Sequence, residues 1–237
     1  MVVNVNRTRQ TDVVAGYYRV VISSHVVNAH SWVDVLNRTT IDWPNLAFSW
    51  NPVVGCKRGC TYCYAIKMHN RFNKIPFSEI TFYEKRLNEP ERVKKPSTIF
   101  VGSMSDIEYW TPEQTISVID ICRKCPQHTF MFLSKSPESY KDFIWPKNTM
   151  QGLTLTCEQA VFEQMALLKK MKQYPRPYLS IEPILGILHW PVDFELVIVG
   201  AMTGKKSTEP KPQWITSIKI NVPREKLFWK NNIKRYL

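Results

Sequence analysis

The chain has 237 residues, 44% of them hydrophobic and 22% charged, with a formal net charge of +12; these are the figures of a globular protein large enough for one sizeable core or a closed α/β barrel. No 18-residue apolar run occurs, and Arg7, Arg9 and Asp12 stand where a signal peptide would be apolar, which argues against a membrane span and against secretion. Six cysteines at positions 56, 60, 63, 122, 125 and 157, three of them crowded into one short stretch, argue against a disulfide framework and for a reducing, cytoplasmic setting.

In chain order, residues 1–40 fit no regular alternation and are set apart as an N-terminal extension without an assigned role, while 41–237 are expected to form one domain. Short β-type runs follow at 47–50, 98–102, 129–133, 152–155, 178–181, 196–199 and 226–229. Several, such as TIFVG, HTFMFL and ELVIVG, are nearly continuous in apolar residues, as strands buried on both faces are. Helix starts lie between them. One is expected near Tyr64; Thr111-Pro112-Glu113-Gln114 and Thr156-Cys157-Glu158-Gln159 read as capping boxes, and Ser136-Pro137-Glu138 as an N-cap followed by proline. The repeated order of strand, polar tip and helix predicts an α/β fold with a parallel sheet, best fitted by a partial (β/α)6 TIM-like barrel and second by a doubly wound sheet. No GxGxxG or GxxxxGKS/T follows any strand, which argues against dinucleotide and P-loop chemistry.

Active sites of such folds form at the C-terminal ends of the strands. Polar residues collect there: Asn51 and the cysteine stretch, Ser103 to Asp106, Ser134 and Lys135, Thr156 and Glu158, Glu182, Met202 and Thr203, and Lys230 with Asn231. Threonine and serine at these places also serve as helix caps, and capping and ligand contact can coexist. The cysteines are spaced Cys56-x3-Cys60-x2-Cys63. Structural zinc takes four ligands; this stretch supplies three, with His69 as the nearest fourth, so a non-catalytic zinc-binding module is one reading. Cys122 and Cys125, with Cys157, are either a second metal site or small apolar residues. A cubane iron–sulfur cluster normally takes four thiolates, so three leave one iron open to a ligand. His69, His128 and His189 are assigned structural roles.

CxxxCxxC with Tyr62 just before its last cysteine resembles the signature loop of the radical S-adenosylmethionine (SAM) superfamily. The wider pattern, IDW, SWNPVVGC, CYA, IFVGSMSD, CPQHTFMFLSKSPE, SIEPILG, ELVIVGAMTG and FWK, spans residues 41 to 230 and resembles the compact, phage-associated, three-cysteine branch of that superfamily, which includes a lyase acting on queuine. The resemblance implies a partial (β/α)6 barrel carrying a 4Fe-4S cluster on Cys56, Cys60 and Cys63. It implies SAM bound by the backbone at Tyr62, by Ser103, Ser105 and Asp106 in place of the usual Gly-Gly-Glu, by Lys135 at the carboxylate, by Thr154, Thr156 and Glu158 near the ribose, and by Val199 and Met202 against adenine. The resemblance suggests as substrate a queuine-like 7-deazaguanine base cleaved at a carbon–nitrogen bond; its guanidine-like edge needs an acceptor, for which Glu182 at a strand end is the candidate unless it is a structural ion pair with a lysine, and Trp50, Asn51, Pro183, Trp229 and Asn231 at other strand ends are candidate neighbours.

The charge of +12 fits several partners. Flavodoxin or ferredoxin, acidic electron donors, would dock on a basic surface. Nucleic acid would bind it as well, which makes a radical SAM enzyme acting on DNA or tRNA the alternative to a free base.

Overall fold

The computed structural model describes residues 36–204 and 207–237, together with the two-residue strands β1 (Val21–Ile22) and β2 (His25–Val26). The chain divides into two compact units, residues 1–34 and 35–237. In the first, β1 and β2 pair antiparallel; the rest of the expected N-terminal extension up to residue 35 lies outside the described residues.

The second unit is built on an eight-stranded sheet of β3 (Asn37–Arg38), β4 (Leu46–Trp50), β7 (Thr98–Val101), β8 (Thr129–Ser134), β9 (Thr149–Thr154), β10 (Pro177–Ile181), β11 (Leu196–Val199) and β12 (Leu227–Trp229), which neighbour one another in chain order. Every pairing from β4 to β12 is parallel, and only the edge pair β3 and β4 is antiparallel. All seven β-type runs of the sequence are in this sheet, and its curl makes the α/β half-barrel expected from the strand and helix order. A hairpin of β5 (Val53–Val54) and β6 (Thr81–Phe82) follows β4 and brackets helix α1 (Tyr64–Phe72). Helices α2 (Pro112–Lys124), α3 (Val161–Met171) and α4 (Pro212–Asn221) make the crossovers β7 to β8, β9 to β10 and β11 to β12. Among the described residues no helix is long and apolar enough to cross a membrane.

Two faces of the sheet bury different things. On the convex face Ile99, Val101, Phe130, Phe132, Leu179 and Val197 pack against Val118 and Ile121 of α2, Leu168 of α3 and Ile218 of α4. On the concave face Phe100, Met131, Met150, Tyr178 and Ile198 close the lower half of the barrel, and Trp43 plugs it, 4.5 Å from Phe100 and 5.9 Å from Tyr178 between ring centroids. Each such side chain contributes roughly 1.5–3 kcal/mol on burial. The upper half of the concave face, toward the strand C-termini, stays open.

Local chemistry explains the helix boundaries. The capping box at Thr111 forms as expected: the Gln114 amide N–H donates to Thr111 Oγ1 at 3.3 Å and the Thr111 N–H to Gln114 Oε1 at 3.0 Å. The second expected box does not start a helix. Cys157 has a φ of 64°, a left-handed conformation that interrupts helical geometry, so Thr156 bonds Glu158 and Gln159 within a turn and α3 begins only at Val161. Ser136 likewise makes no cap bond, and Pro137–Tyr140 is a single 3-10 turn. The crossover from β8 to β9 is anchored by side chains instead: Tyr140 donates to Gly152 O at 2.7 Å and Trp145 to Tyr140 O at 2.9 Å.

Candidate active site

A cavity of about 390 Å³ opens at the C-terminal ends of the strands, within the range of roughly 300–1,000 Å³ common for small-molecule sites. The cysteine loop crosses it. Its start is fixed by the Gly55 N–H donating to Met104 O at 2.9 Å and the Cys56 N–H to Phe77 O at 2.8 Å. Gly55 has a φ of +115°, and a Cβ there would stand 2.4 Å from Glu79 O, so this approach requires glycine. The loop ends at Cys63, the N-cap of α1, whose N–H donates to Cys60 O at 3.1 Å. Cys56, Cys60 and Cys63 are unpaired, half-buried and all line the cavity.

A helix N-terminus and a neighbouring arginine favour thiolate, and Arg58 lies inside the loop. Burial pushes the Cys56 thiol up to about 11, with Asp106 and the other two thiols adding to the rise against a hydrogen bond from the Arg58 backbone. A bare anion is therefore disfavoured at Cys56, and a metal at the sulfur would stabilise the thiolate there.

Among the described residues no three His, Cys, Asp or Glu side chains gather around one point as a single ion requires. Zinc, with sulfur ligands about 2.3 Å away, needs such a gathering. A cubane would take each thiolate on a different iron, and three thiols lining one cavity supply three such ligands. His69 is not a fourth ligand: its Nε2 meets Ile75 O at 2.8 Å and its ring packs on Phe77. Cys122, Cys125 and Cys157 are buried in the convex core.

On the next wall Asp106 organises the strand ends. Its Oδ1 accepts from Ser134 Oγ at 2.6 Å and from the Glu108 N–H at 3.1 Å, its Oδ2 from the Lys135 N–H at 3.2 Å, and Arg58 lies 3.9 Å away while pairing with Glu108. Its lone pairs are largely engaged. Ser103 Oγ donates to Asn51 Oδ1 at 3.1 Å, and Ser105 Oγ accepts from Trp110 Nε1 at 3.1 Å. Lys135 Nζ donates to the Tyr62 hydroxyl at 2.9 Å and lies 5.3 Å from its ring centroid. Burial lowers the Lys135 ammonium from its ordinary value, against the opposite pull of Cys60. Among the described residues Lys135 has no carboxylate at ion-pair distance, so it is a half-buried cation open to an anionic ligand.

The third wall is a polar knot around Glu182. Its Oε2 accepts from Trp43 Nε1 at 2.8 Å and from Ser180 Oγ at 3.1 Å, and its Oε1 pairs with Lys230. Gly200 makes the room, since a Cβ there would stand 2.8 Å from Glu182 Oε1. The peptide from Glu182 to Pro183 is cis.

The cavity thus brings together Cys56, Cys60, Cys63, Tyr62, Ser103 and Ser105 with Asp106, Lys135, Thr154, Met202, Glu182 and Pro183. Other expected residues lie elsewhere. Trp50 and Val199 are fully buried and Trp229 packs in the same convex core, because their side chains point to the opposite face of the pleat from Ser49, Gly200 and Lys230. Asn231 is exposed, its N–H held by the Asp42 carboxylate. Thr156 and Glu158 are tied to each other in the turn before α3, at 3.2 Å. Asn51 sits behind the wall, its Oδ1 accepting from Ser103 Oγ and, at 3.0 Å, from the Met104 N–H. Trp43, Arg58 and Asn232 are among the lining residues that sequence reasoning did not single out. Trp43 stood in view inside the IDW motif; Asn232, bonded to both polar groups of the Ala201 backbone, had no motif at all.

A curled parallel sheet with a cysteine loop across its open end defines an α/β half-barrel class, and solved structures share that fold. A single-residue variant of spore photoproduct lyase aligns with a TM-score of 0.50 at 12% identity, over 70% of this chain and 58% of that one. A second variant, solved with a dinucleoside spore photoproduct, gives 0.48 at 14% identity, over 63% and 48%. The chain spans about half the length of these proteins, and at such identities the likeness establishes the fold alone. No curated protein matches. The chain belongs to the family described as protein of unknown function (DUF5131), whose model matches residues 38–231.

Proposed function

We propose that this chain is a radical SAM enzyme acting on a modified nucleobase. The observation that carries the proposal is one cavity at the strand ends lined by three unpaired, half-buried thiols and by Lys135, a cation without a carboxylate partner among the described residues. Cys56, Cys60 and Cys63 would hold a 4Fe-4S cluster. When bound, that cluster supplies the one electron, delivered by reduced flavodoxin or ferredoxin, that splits the SAM sulfonium into methionine and a 5′-deoxyadenosyl radical.

The protein's own part is binding, orientation and exclusion of water. Lys135 suits the SAM carboxylate, because a charged donor makes the stronger hydrogen bond. Ser103 and Ser105 keep lone pairs for the amino group, a task for which Asp106 is too fully engaged. The Tyr62 backbone and Met202 flank the place of adenine, and Thr154 that of the ribose. Glu182, beside Lys230, offers an acceptor to the guanidine-like edge of a base. Six free thiols among the described residues fit a reducing cytoplasm.

The finer assignment, a lyase that cuts the carbon–nitrogen bond of queuine, has the motif resemblance behind it. Anaerobic, iron-reconstituted protein with SAM, dithionite and queuine is expected to yield 5′-deoxyadenosine and the aminomethyl-deazaguanine. Deoxyadenosine with untouched queuine eliminates that base and leaves the class. Colourless protein that binds zinc and cleaves no SAM eliminates the class. A base carried within a nucleic acid strand is the second reading, and a groove beside the cavity favours it.

A further inference from the structure

A second cavity, of about 450 Å³, adjoins the first and shares Ile41, Tyr64 and Ser103 with it. It lies between the β3 and β4 edge of the sheet and α1. Among the described residues its lining holds the arginines Arg38 and Arg86 and the asparagines Asn37, Asn51 and Asn73, and neither Asp nor Glu. Among the described residues neither arginine has a carboxylate at ion-pair distance; Arg86 lies 4.2 Å from the ring centroid of Tyr83 and Arg38 5.5 Å from that of Phe48. Along the rim, α1 turns Tyr64, Met68 and Phe72, four residues apart, outward at 49%, 50% and 74% exposure. That spacing sets them on one face. Exposed Lys67, Arg71 and Lys74 flank them.

We propose that this groove binds a single-stranded segment of nucleic acid and delivers one of its bases to the cysteine cavity. Single strands are held by a cationic track for the phosphates joined to aromatic faces on which bases stack, and the groove has both. The described lining, without carboxylates, puts no repulsion on phosphate, and asparagine side chains supply donors and acceptors for base edges. The ligand the shape takes is a chain: the groove is a trough with Arg86 half-buried along it and Arg38 exposed at its edge, and the exposed aromatic faces beside these cations suit bases, whereas an acidic protein surface has no use for them. Tyr64 and Ser103 line both cavities and are joined by a hydrogen bond from the Tyr64 hydroxyl to Ser103 O at 2.6 Å, so an extruded base would enter the site by displacing the exposed Tyr64 ring. The inference rests on the proposed radical chemistry only for what becomes of that base.

The test is fluorescence anisotropy of labelled dT12 and U12 with the full chain. Binding is expected to weaken steeply with salt, log K falling by about 0.7 per phosphate contact for each tenfold rise. Phe72→Ala should weaken it about tenfold through lost stacking, and the Arg38→Gln, Arg86→Gln double variant should weaken it comparably and flatten the salt slope. Phe162→Ala removes a 77% exposed ring from α3 and should change nothing. Absence of binding at 50 mM salt overturns the inference, as does equal weakening by Phe72→Ala and Phe162→Ala. Protection of α1 from hydrogen exchange by a flavodoxin, with oligonucleotides failing to compete, overturns it in favour of an electron-donor surface. Deoxyadenosine formation by wild type without oligonucleotide reads the radical assignment separately, so either claim can fail alone.

Discussion

The six cysteines fall into two sets that place the same side chain in opposite surroundings. Cys56, Cys60 and Cys63 are half-buried in a loop that runs into the N-terminus of α1, with Arg58 among them. Cys122, Cys125 and Cys157 are 0%, 1% and 4% exposed in the convex core. Both sets contain a CxxC, so spacing alone does not separate them. The secondary structure does: Cys63 caps the start of a helix, whereas Cys122 lies in the last turn of α2 and Cys125 at its C-cap. The positive end of a helix stabilises thiolate and the negative end opposes it. Burial raises Cys122 well above its ordinary value, with Cys125 adding to the rise. Burial raises Cys56 too, so what separates the sets is place: the first lines the cavity as the proposed ligands, and the second fills the core.

The variant that tests this contrast hardest is Cys60→Ala. Reconstituted wild type is expected to hold about four irons per chain, the variant close to none, with deoxyadenosine formation at background; Cys125→Ala should keep both. Iron and sulfide counts decide, and loss of iron in Cys125→Ala would break the division. Next in size is Lys135→Met, which should raise the SAM dissociation constant about 10- to 100-fold, the equivalent of a charged hydrogen bond of roughly 1.5–3 kcal/mol. Equilibrium dialysis measures it, and iron content should not move. Cys122→Ser puts a hydroxyl into an apolar core at a cost of about 2 kcal/mol, lowering Tm by about 4–8 °C while leaving the iron count intact.

The contrast also marks what was legible in the sequence. The seven strands were, because an apolar run buried on both faces is a strong signal. That same signal hides which residues face the cavity. Val199 and Trp50 were expected in the site and point the other way, since a strand apolar throughout has no alternation from which to read parity. Around Glu182 the parity was recoverable, because Ser180 and Glu182 break the apolar run two residues apart. Trp43 reaches Glu182 across 139 residues of chain, a contact that only closure of the barrel creates. The start of α3 was misplaced for a backbone reason: good capping chemistry at Thr156 yields to a left-handed Cys157, whose carbonyl oxygen comes so near Gly186 that a Cβ there would stand 1.9 Å away.

Cys157 carries the smallest and sharpest test. Burial pushes its thiol from the ordinary 9.0 up to about 12. A raised folded-state value means the folded chain holds its proton at pH values where the unfolded chain has released it. Stability from this group is therefore complete below pH 9 and falls as pH rises toward 12, with a slope of at most about 1.4 kcal/mol per pH unit. Tyr140 and Tyr178 are also raised by burial and add their own decline, so the measurement is the difference between wild type and Cys157→Ala in urea midpoints at pH 8, 9.5 and 10.5. Wild type should lose stability faster than the variant across that series. Parallel curves would show that the Cys157 thiol ionises as readily in the fold as out of it, and Cys157 would then belong with the reactive set.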